Sequence, residues 1–417
     1  MKKYFLLVFI TITSCADGVE VIPDMVDNKQ DANESVYLVS EKEALKNAES
    51  FFETMNPNAS RAINERELLS VTKINNEATR SSDVNSEGLY LFNYKDNKGF
   101  SVVSADRRDS VSVYIMSEDG NIDISEIDSD SPFSYIFDYV ERYQEYKVGE
   151  NVVSRSGFNP EKDGWVETKT NTVLSSVGPY ITTAWNQVSP YDVTKPGYKM
   201  GCVPVAMGQI MAYHKHPVAY GNYTYDWDLI RNNDIGCTAR NLAVSTLLNH
   251  IGVDADADYG TIETGVYKSD AKKSFENFGY ITNNYINFHI DKLKQSLNNR
   301  RPVYFRGTNN NQQGHAWIAD GYSRVLTETR AYDYDGNPVE DTILNIYNWD
   351  NEYTYIHFNI GWGGASNGDY AYTNEYTATE PANGQPITYF WVYDVFTFNL
   401  NNYDTNDMEM IVDLRPE

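Results

Sequence analysis

Between residues 146 and 172 the chain runs through a polar stretch with no apolar period, carrying Arg155, Pro160, Lys162 and Lys169. Such a segment adds nothing to a hydrophobic core, so the parts on either side must each bury their own. At 417 residues the protein also exceeds the length over which one core usually keeps growing. The sequence therefore predicts two folded units, over 36–145 and 173–417, joined by an exposed, protease-sensitive linker over 146–172.

Ahead of both units stands MKKYFLLVFITITSC, in which two lysines precede an apolar run and small polar residues precede a cysteine. The run is too short to remain as a bilayer-spanning helix, which makes residues 1–15 an export signal. Ile12-Thr13-Ser14-Cys15 fits a bacterial lipobox and marks Cys15 as the lipidated residue. An exported lipoprotein held at the cell envelope is the expectation; a cleaved signal that releases a secreted protein is the alternative. Residues 16–35 are acidic and polar, as a tether between anchor and body should be.

In the first unit Ser40-Glu41-Lys42-Glu43 forms a capping box. Ala44, Leu45, Ala48, Phe51, Phe52 and Met55 follow at helical spacing and stop before Pro57. Strands are predicted over 89–94, 100–104 and 111–116, the first two joined by a turn at 96–99. The result is a small α+β unit. Its stretch from 36 to 145 holds no histidine, cysteine or carboxylate cluster, so no chemistry is expected there.

The second unit begins with an extended segment over 177–185 and continues with helical periods over 202–214, 239–251, 268–278 and 291–298. After Pro302 the pattern changes to strands, over 303–307, 315–322, 343–347 and 353–359. Helices first and sheet second is again α+β. The chain carries 34 basic against 59 acidic residues, a net charge of -25, which repels phosphate backbones and excludes nucleic acid as a natural partner. Its 33 tyrosines and 7 tryptophans suit aromatic clefts and half-buried surfaces.

After Cys15 only Cys202 and Cys237 remain, and they lie in unlike surroundings. Cys237 has no histidine or glycine-rich context and reads as a small buried hydrophobe. Cys202 follows Gly201 at the start of a helix in which Val203, Ala206, Met207, Ile210 and Met211 form one stripe. A helix N-terminus favours thiolate over thiol, and a nearby imidazolium would add to that. Pro204 is tolerated in the first turn, and the Cys202 N–H is free to face a developing oxyanion. The partner has to be a histidine, and His315 opens the apolar strand Gly314-His315-Ala316-Trp317-Ile318 directly after the 309–313 loop. His214, His216 and His250 read as helix-closing residues, the first two as cations on the helix dipole. His289 and His357 read as surface or packing residues. Neither cysteine has a ligand at C-x-x-C or H-x-x-x-H spacing, and no cofactor motif is present, so neither metal nor cofactor is expected.

Several blocks between 185 and 364 together resemble the streptopain family of papain-superfamily cysteine peptidases. They are Trp185-Asn186-Gln187-Val188-Ser189-Pro190-Tyr191, Gly201-Cys202-Val203 through His214-Lys215-His216-Pro217, Asp258-Tyr259-Gly260, Phe275-Glu276-Asn277-Phe278-Gly279-Tyr280, Arg301-Pro302-Val303-Tyr304, Gly314-His315-Ala316 and the run from Asn359 to Gly364. The resemblance implies a papain-like catalytic domain over 173–417 behind an inhibitory prodomain over 36–145, with maturation cleavage in the linker. It makes Cys202 the nucleophile, His315 the general base and acid, Gln187 the oxyanion donor and Asn359 the residue that holds the imidazole ring. Trp362, Gly363 and Gly364 become candidates for the substrate cleft, with proteins or peptides as substrates. Ile360 stands where the family pattern has a tryptophan, which predicts a thinner aromatic wall over the histidine. Two other readings share these residues: a different thiol acyl transfer, and a non-catalytic surface lipoprotein acting as adhesin or inhibitor.

Overall fold

Ser40 opens the first helix as its capping box predicts. Its Oγ accepts the Glu43 N–H at 3.3 Å, and α1 (Glu41–Met55) buries Ala44, Ala48, Phe51 and Phe52 along one face. The computed structural model describes residues 37–57, 66–74, 87–107, 109, 111–124, 165–308, 314–333, 349–372, 379–382, 385–388 and 408–417. The proposed signal, the tether, Cys15, the strand expected over 343–347 and residues 146–164 of the linker lie outside them.

Antiparallel strands β1 (Leu68–Ile74), β2 (Leu89–Tyr94), β3 (Phe100–Ser104) and β4 (Val113–Ser117) form a meander beside α1. β2 to β4 are buried throughout, whereas β1 is an edge strand whose residues are half-buried or exposed. That exposure explains why β1 has too weak an apolar signal to be predicted. A second departure lies at the linker, whose last residues are not irregular but begin β5 (Trp165–Val177). From Lys169 to Val177 half-buried and exposed residues alternate strictly. The half-buried members include Lys169, Asn171 and Ser175, so a strand period is carried by polar residues and does not register as hydrophobic alternation.

The longer helices that follow are α2 (Cys202–His214), α3 (Thr238–Asp254), α4 (Lys268–Asn277) and α5 (Ile290–Asn298). The remaining strands of the large sheet are β6 (Ile286–Asn287), β7 (Val303–Thr308), β8 (Gly314–Asp333), β9 (Trp349–Asn359), β10 (Gly368–Tyr372) and β11 (Glu409–Ile411). Eleven strands share one sheet in the order β1-β2-β3-β4-β10-β9-β8-β7-β11-β6, with β5 also paired to β8. The 20-residue β8 is its spine. One edge of β8 binds β7 from Gly314 to Ala319 and then β5 from Tyr322 to Asp333, while its other edge binds β9.

The two units predicted from the sequence are thus not separate bodies. β4 pairs with β10 through Ser117↔Gly368, Met116↔Asp369 and Ile115↔Tyr370, making the N-terminal meander a continuation of the C-terminal sheet. Their cores merge as well. Phe51 of α1 packs on Tyr355 of β9 with ring centroids 4.7 Å apart, and the Tyr355 hydroxyl donates to the Val113 carbonyl at 2.8 Å. β5 joins the same seam, where Lys169 Nζ donates to the Asp109 carbonyl at 2.7 Å. A second core gathers α2, α3 and α4 with Trp185, Tyr304 and Ile318. There Val203 to Ala212 are buried all round, because α2 lies between α3 and the sheet rather than on a surface.

Residues from Trp165 onward are hydrogen-bonded along β8, and a scissile segment has to leave such pairing to enter a protease cleft. Maturation should therefore produce a new N-terminus between 146 and 164, read by sequencing the product of incubated precursor. A first cut inside β5 would count against β5 as the start of the mature fold.

Candidate active site

The corner that carries Cys202 is built by four short contacts. Met200 N–H donates to the Gln187 carbonyl at 2.7 Å and Lys199 N–H to the Gly260 carbonyl at 3.0 Å. Thr264 Oγ1 donates to the Lys199 carbonyl at 2.5 Å, and Val205 N–H closes the first helical turn onto Gly201 at 3.2 Å. Gly201 has φ +92° and lies against the Thr264 methyl, which a Cβ would meet at 3.0 Å, so no other residue fits comfortably ahead of the cysteine. This clamp ties the main chain of the half-buried Gln187 to the residues just ahead of α2.

His315 approaches from the start of β8, where its Nε2 lies 3.0 Å from the Ile360 carbonyl. A carbonyl only accepts, so Nε2 carries a hydrogen and Nδ1 has the free lone pair of the neutral ring. The backbone N–H groups of Ala316, the residue after His315, of Val203 and of Cys202 itself lie near enough to the Cys202 sulfur to favour its thiolate. The start of β8, which carries His315, is thereby brought against the helix α2 that begins at Cys202. Both Cys202 and Cys237 are free thiols.

The partner of His315 differs from the one the sequence implied. Asn359 does not hold the ring, because its side chain is committed elsewhere. Its Oδ1 accepts from Gln209 Nε2 at 3.0 Å and from Gly361 N–H at 3.2 Å, and its Nδ2 donates to the Thr183 carbonyl at 2.8 Å. The main-chain carbonyl of the next residue takes the role instead, and a main-chain acceptor leaves no mark on residue identity. The aromatic wall is likewise not thinned by Ile360. Trp362 lies 5.3 Å from the His315 ring centroid at 42°, and Trp317 stacks at 5.9 Å and 12°. The Ile360 side chain packs on the first core.

The electrostatics also depart from expectation. Burial pushes the Cys202 thiol up, the three N–H groups pull it back, and the Glu263 carboxylate raises it further. Burial lowers the His315 pKa to about 4, only partly countered by the bond to Ile360. Desolvation of the two half-buried side chains thus shifts each towards its neutral form, against the pull of the helix N-terminus.

Trp362, Gly363 and Gly364 follow in a loop that touches both halves of the chain. Gly363 N–H donates to the Trp185 carbonyl at 2.9 Å. Gly364, at φ +95°, admits the Asp119 carboxylate to within 2.7 Å of where a Cβ would stand. Around it Ser366 N–H donates to the Asp119 carbonyl at 3.1 Å and Glu118 N–H to the Asn367 carbonyl at 3.0 Å. Asn367 Oδ1 in turn accepts the Ile360 N–H at 3.0 Å. The N-terminal unit therefore grips the loop that supplies the partner of His315.

Other sequence expectations are corrected nearby. His357 is neither a surface residue nor a packing residue: it is buried with Nδ1 2.6 Å from Asp320 Oδ1. Burial alone disfavours its imidazolium, but the charge and hydrogen bond of Asp320, with Asp369 and Glu118, raise its pKa to about 9. His214 is no dipole-capping cation, since burial, His216 and Arg301 lower its pKa to about 4. His250 sits within α3 rather than closing it, with Nδ1 2.8 Å from the Tyr225 hydroxyl. Cys237 is half-buried and precedes α3 as its N-cap.

A cysteine at a buried helix start, a histidine at a strand start and an attached second unit gripping the site loop define a papain-like cysteine peptidase in precursor form. Comparison with known proteins agrees: residues 182–370 match the Peptidase C10 family and residues 37–142 match the Spi protease inhibitor family. Streptopain of Streptococcus pyogenes is 25% identical over 340 residues, covering 69% of this chain and 74% of that protein. The thiol protease/hemagglutinin PrtT of Porphyromonas gingivalis is 26% identical over 246 residues, covering 48% of this chain and 25% of that protein. A prointerpain A fragment of Prevotella intermedia is 20% identical, with TM-score 0.46 over 82% of this chain and 97% of that one. The chain belongs to the C10 family of cysteine peptidases and carries its inhibitory propeptide domain at the N-terminal side.

The His357–Asp320 pair generates a stability prediction. The folded pKa of about 9 exceeds the free value of 6.5, so the stabilisation is complete below 6.5 and lost as pH rises through about 9. His357→Gln should cost about 3–5 kcal/mol near pH 6 in urea denaturation, and the gap to the native chain should narrow above pH 9. A gap unchanged from acid to alkaline pH would mean that His357 is uncharged.

Proposed function

We propose that this zymogen of a cysteine endopeptidase works through Cys202 and His315, with Gln187 as the side-chain oxyanion donor, and that it is exported and lipid-anchored through Cys15. The observation that carries the catalytic assignment is the proximity of the Cys202 sulfur to the backbone N–H of Ala316, the residue following His315. Its support from the ring is the Nε2–H bond to Ile360, which leaves Nδ1 as the base.

In the reaction Nδ1 of His315 takes the thiol proton as the Cys202 sulfur bonds to the peptide carbonyl carbon. The carbonyl π-electrons move to oxygen, where the Gln187 amide and the Cys202 N–H donate to the oxyanion. The imidazolium then gives its proton to the leaving amine as the C–N bond breaks. Water, losing a proton to Nδ1, attacks the thioester and restores the thiol. Trp362 shields the imidazole and lines the cleft. Gly363 and Gly364 give a substrate backbone room once Asp119 has left with the prodomain. Activity requires a reducing agent, since an accessible catalytic thiol oxidises readily.

Cys202→Ala should abolish hydrolysis of a fluorogenic peptide, and Gln187→Ala should lower kcat about a hundredfold or more without unfolding the enzyme. A thiol-reactive peptide probe should label Cys202 and not Cys237, and labelling should vanish in His315→Ala. Undiminished turnover in Gln187→Ala would remove that residue from the oxyanion hole. For the anchor, Cys15→Ser should abolish incorporation of labelled fatty acid and shift the protein out of the membrane fraction. Retention of both label and membrane association would sink the lipoprotein assignment.

A further inference from the structure

Gln209 lies in the middle of α2, seven residues after Cys202, and is 0% exposed among neighbours that are all apolar or glycine. A primary amide in such a place is retained only with its hydrogen bonds satisfied. Every one of them goes to a segment that frames the catalytic corner. Oε1 accepts the Trp185 N–H at 3.1 Å and the Thr183 hydroxyl at 3.2 Å, on the strand-like approach to Gln187. Nε2 donates to Asn359 Oδ1 at 3.0 Å, and Asn359 Nδ2 returns to within 3.3 Å of Oε1. Asn359 Oδ1 also takes the Gly361 N–H at 3.2 Å, so the two residues flanking Ile360 are bound to one another.

We propose that Gln209 is a positioning residue for catalysis. Its reciprocal amide pair with Asn359 fixes the 359–361 turn, and with it the Ile360 carbonyl that selects the Nε2–H tautomer of His315. The same side chain pins the segment ahead of Gln187 to the helix of Cys202. Nucleophile, base and oxyanion donor come from three separate parts of the chain, and this one amide ties the helix of the first to the turn that holds the second and to the segment ahead of the third. Simple filling of the space would need no directional bonds, because an apolar side chain of equal length would do it at a lower desolvation cost. The inference rests on the assignment of His315 as acid and base.

The test uses the mature enzyme from cleaved full-length precursor, with folding checked by thermal unfolding. Gln209→Met keeps the volume and removes the bonds. It should lower kcat by about ten- to a hundredfold, leave KM within about twofold, and shift the acidic limb of the kcat/KM profile. Combined with Asn359→Leu it should lose no more than the worse single variant, since both break one pair.

Gln209→Glu supplies a second arm should the methionine variant fail to fold. A glutamate keeps the acceptor for Trp185 and Thr183, yet can donate to Asn359 only while protonated. Its activity should approach that of the native enzyme at acidic pH and fall along a new alkaline limb. Native kcat and pH profile in Gln209→Met, additive losses in the double variant, or an unaltered profile in Gln209→Glu would each overturn the proposal. His315→Ala separates the two levels. An active His315→Ala enzyme removes the underlying assignment, whereas an inactive one beside a fully active Gln209→Met enzyme removes only the role of Gln209.

Discussion

The antiparallel pairing of β8 is the constraint on which the rest of the molecule depends. Its first residues, which include His315, bind β7, and its later residues bind β5. Along its other edge β9 pairs from Ile318 to Thr329 and ends at Asn359, where the turn that supplies the Ile360 carbonyl begins. A register slip of one residue in either ladder would move His315 to the opposite face and break the catalytic corner. The chemistry is thus set by main-chain hydrogen bonds far more numerous than the few side chains that perform it.

Much of this was legible in the sequence. The capping box at Ser40, the strands 89–94 and 100–104 and the helix 202–214 stand as their patterns predict, because each is a local signal read from a few neighbouring residues. Cys202 at a helix start and His315 at a strand start stand where their patterns put them, because those signals are local too. What the sequence concealed is relational. The Ile360 carbonyl, the fusion of two sheets at β4 and β10, and the His357–Asp320 pair all depend on main-chain atoms or on contacts between distant residues. Gln209 did leave a trace, as a lone amide in an apolar helix, but its partners lie 24 to 150 positions away.

The electrostatic state of the site follows from the same architecture. A helix N-terminus stabilises a thiolate only where the charge is not first stripped of water, and here burial dominates for both sulfur and imidazole. The His357–Asp320 pair lies in the same sheet and shows the opposite outcome, because a carboxylate within hydrogen-bond reach offsets the lost hydration. Whether a buried histidine is charged is therefore decided by its immediate partner rather than by depth.

The pairing of β4 with β10 gives maturation an unusual physical character. An inhibitor that merely rests on a cleft can diffuse away at the cost of surface contacts, but this one is woven into the sheet at Gly368 to Tyr370 and shares the packing of Phe51 on Tyr355. Its departure unzips a ladder and strips cover from aromatic residues, leaving β10 as a raw margin whose amides turn to water. Separating the N-terminal unit therefore needs a strand to peel from its neighbour, a step closer to partial unfolding than to ligand release.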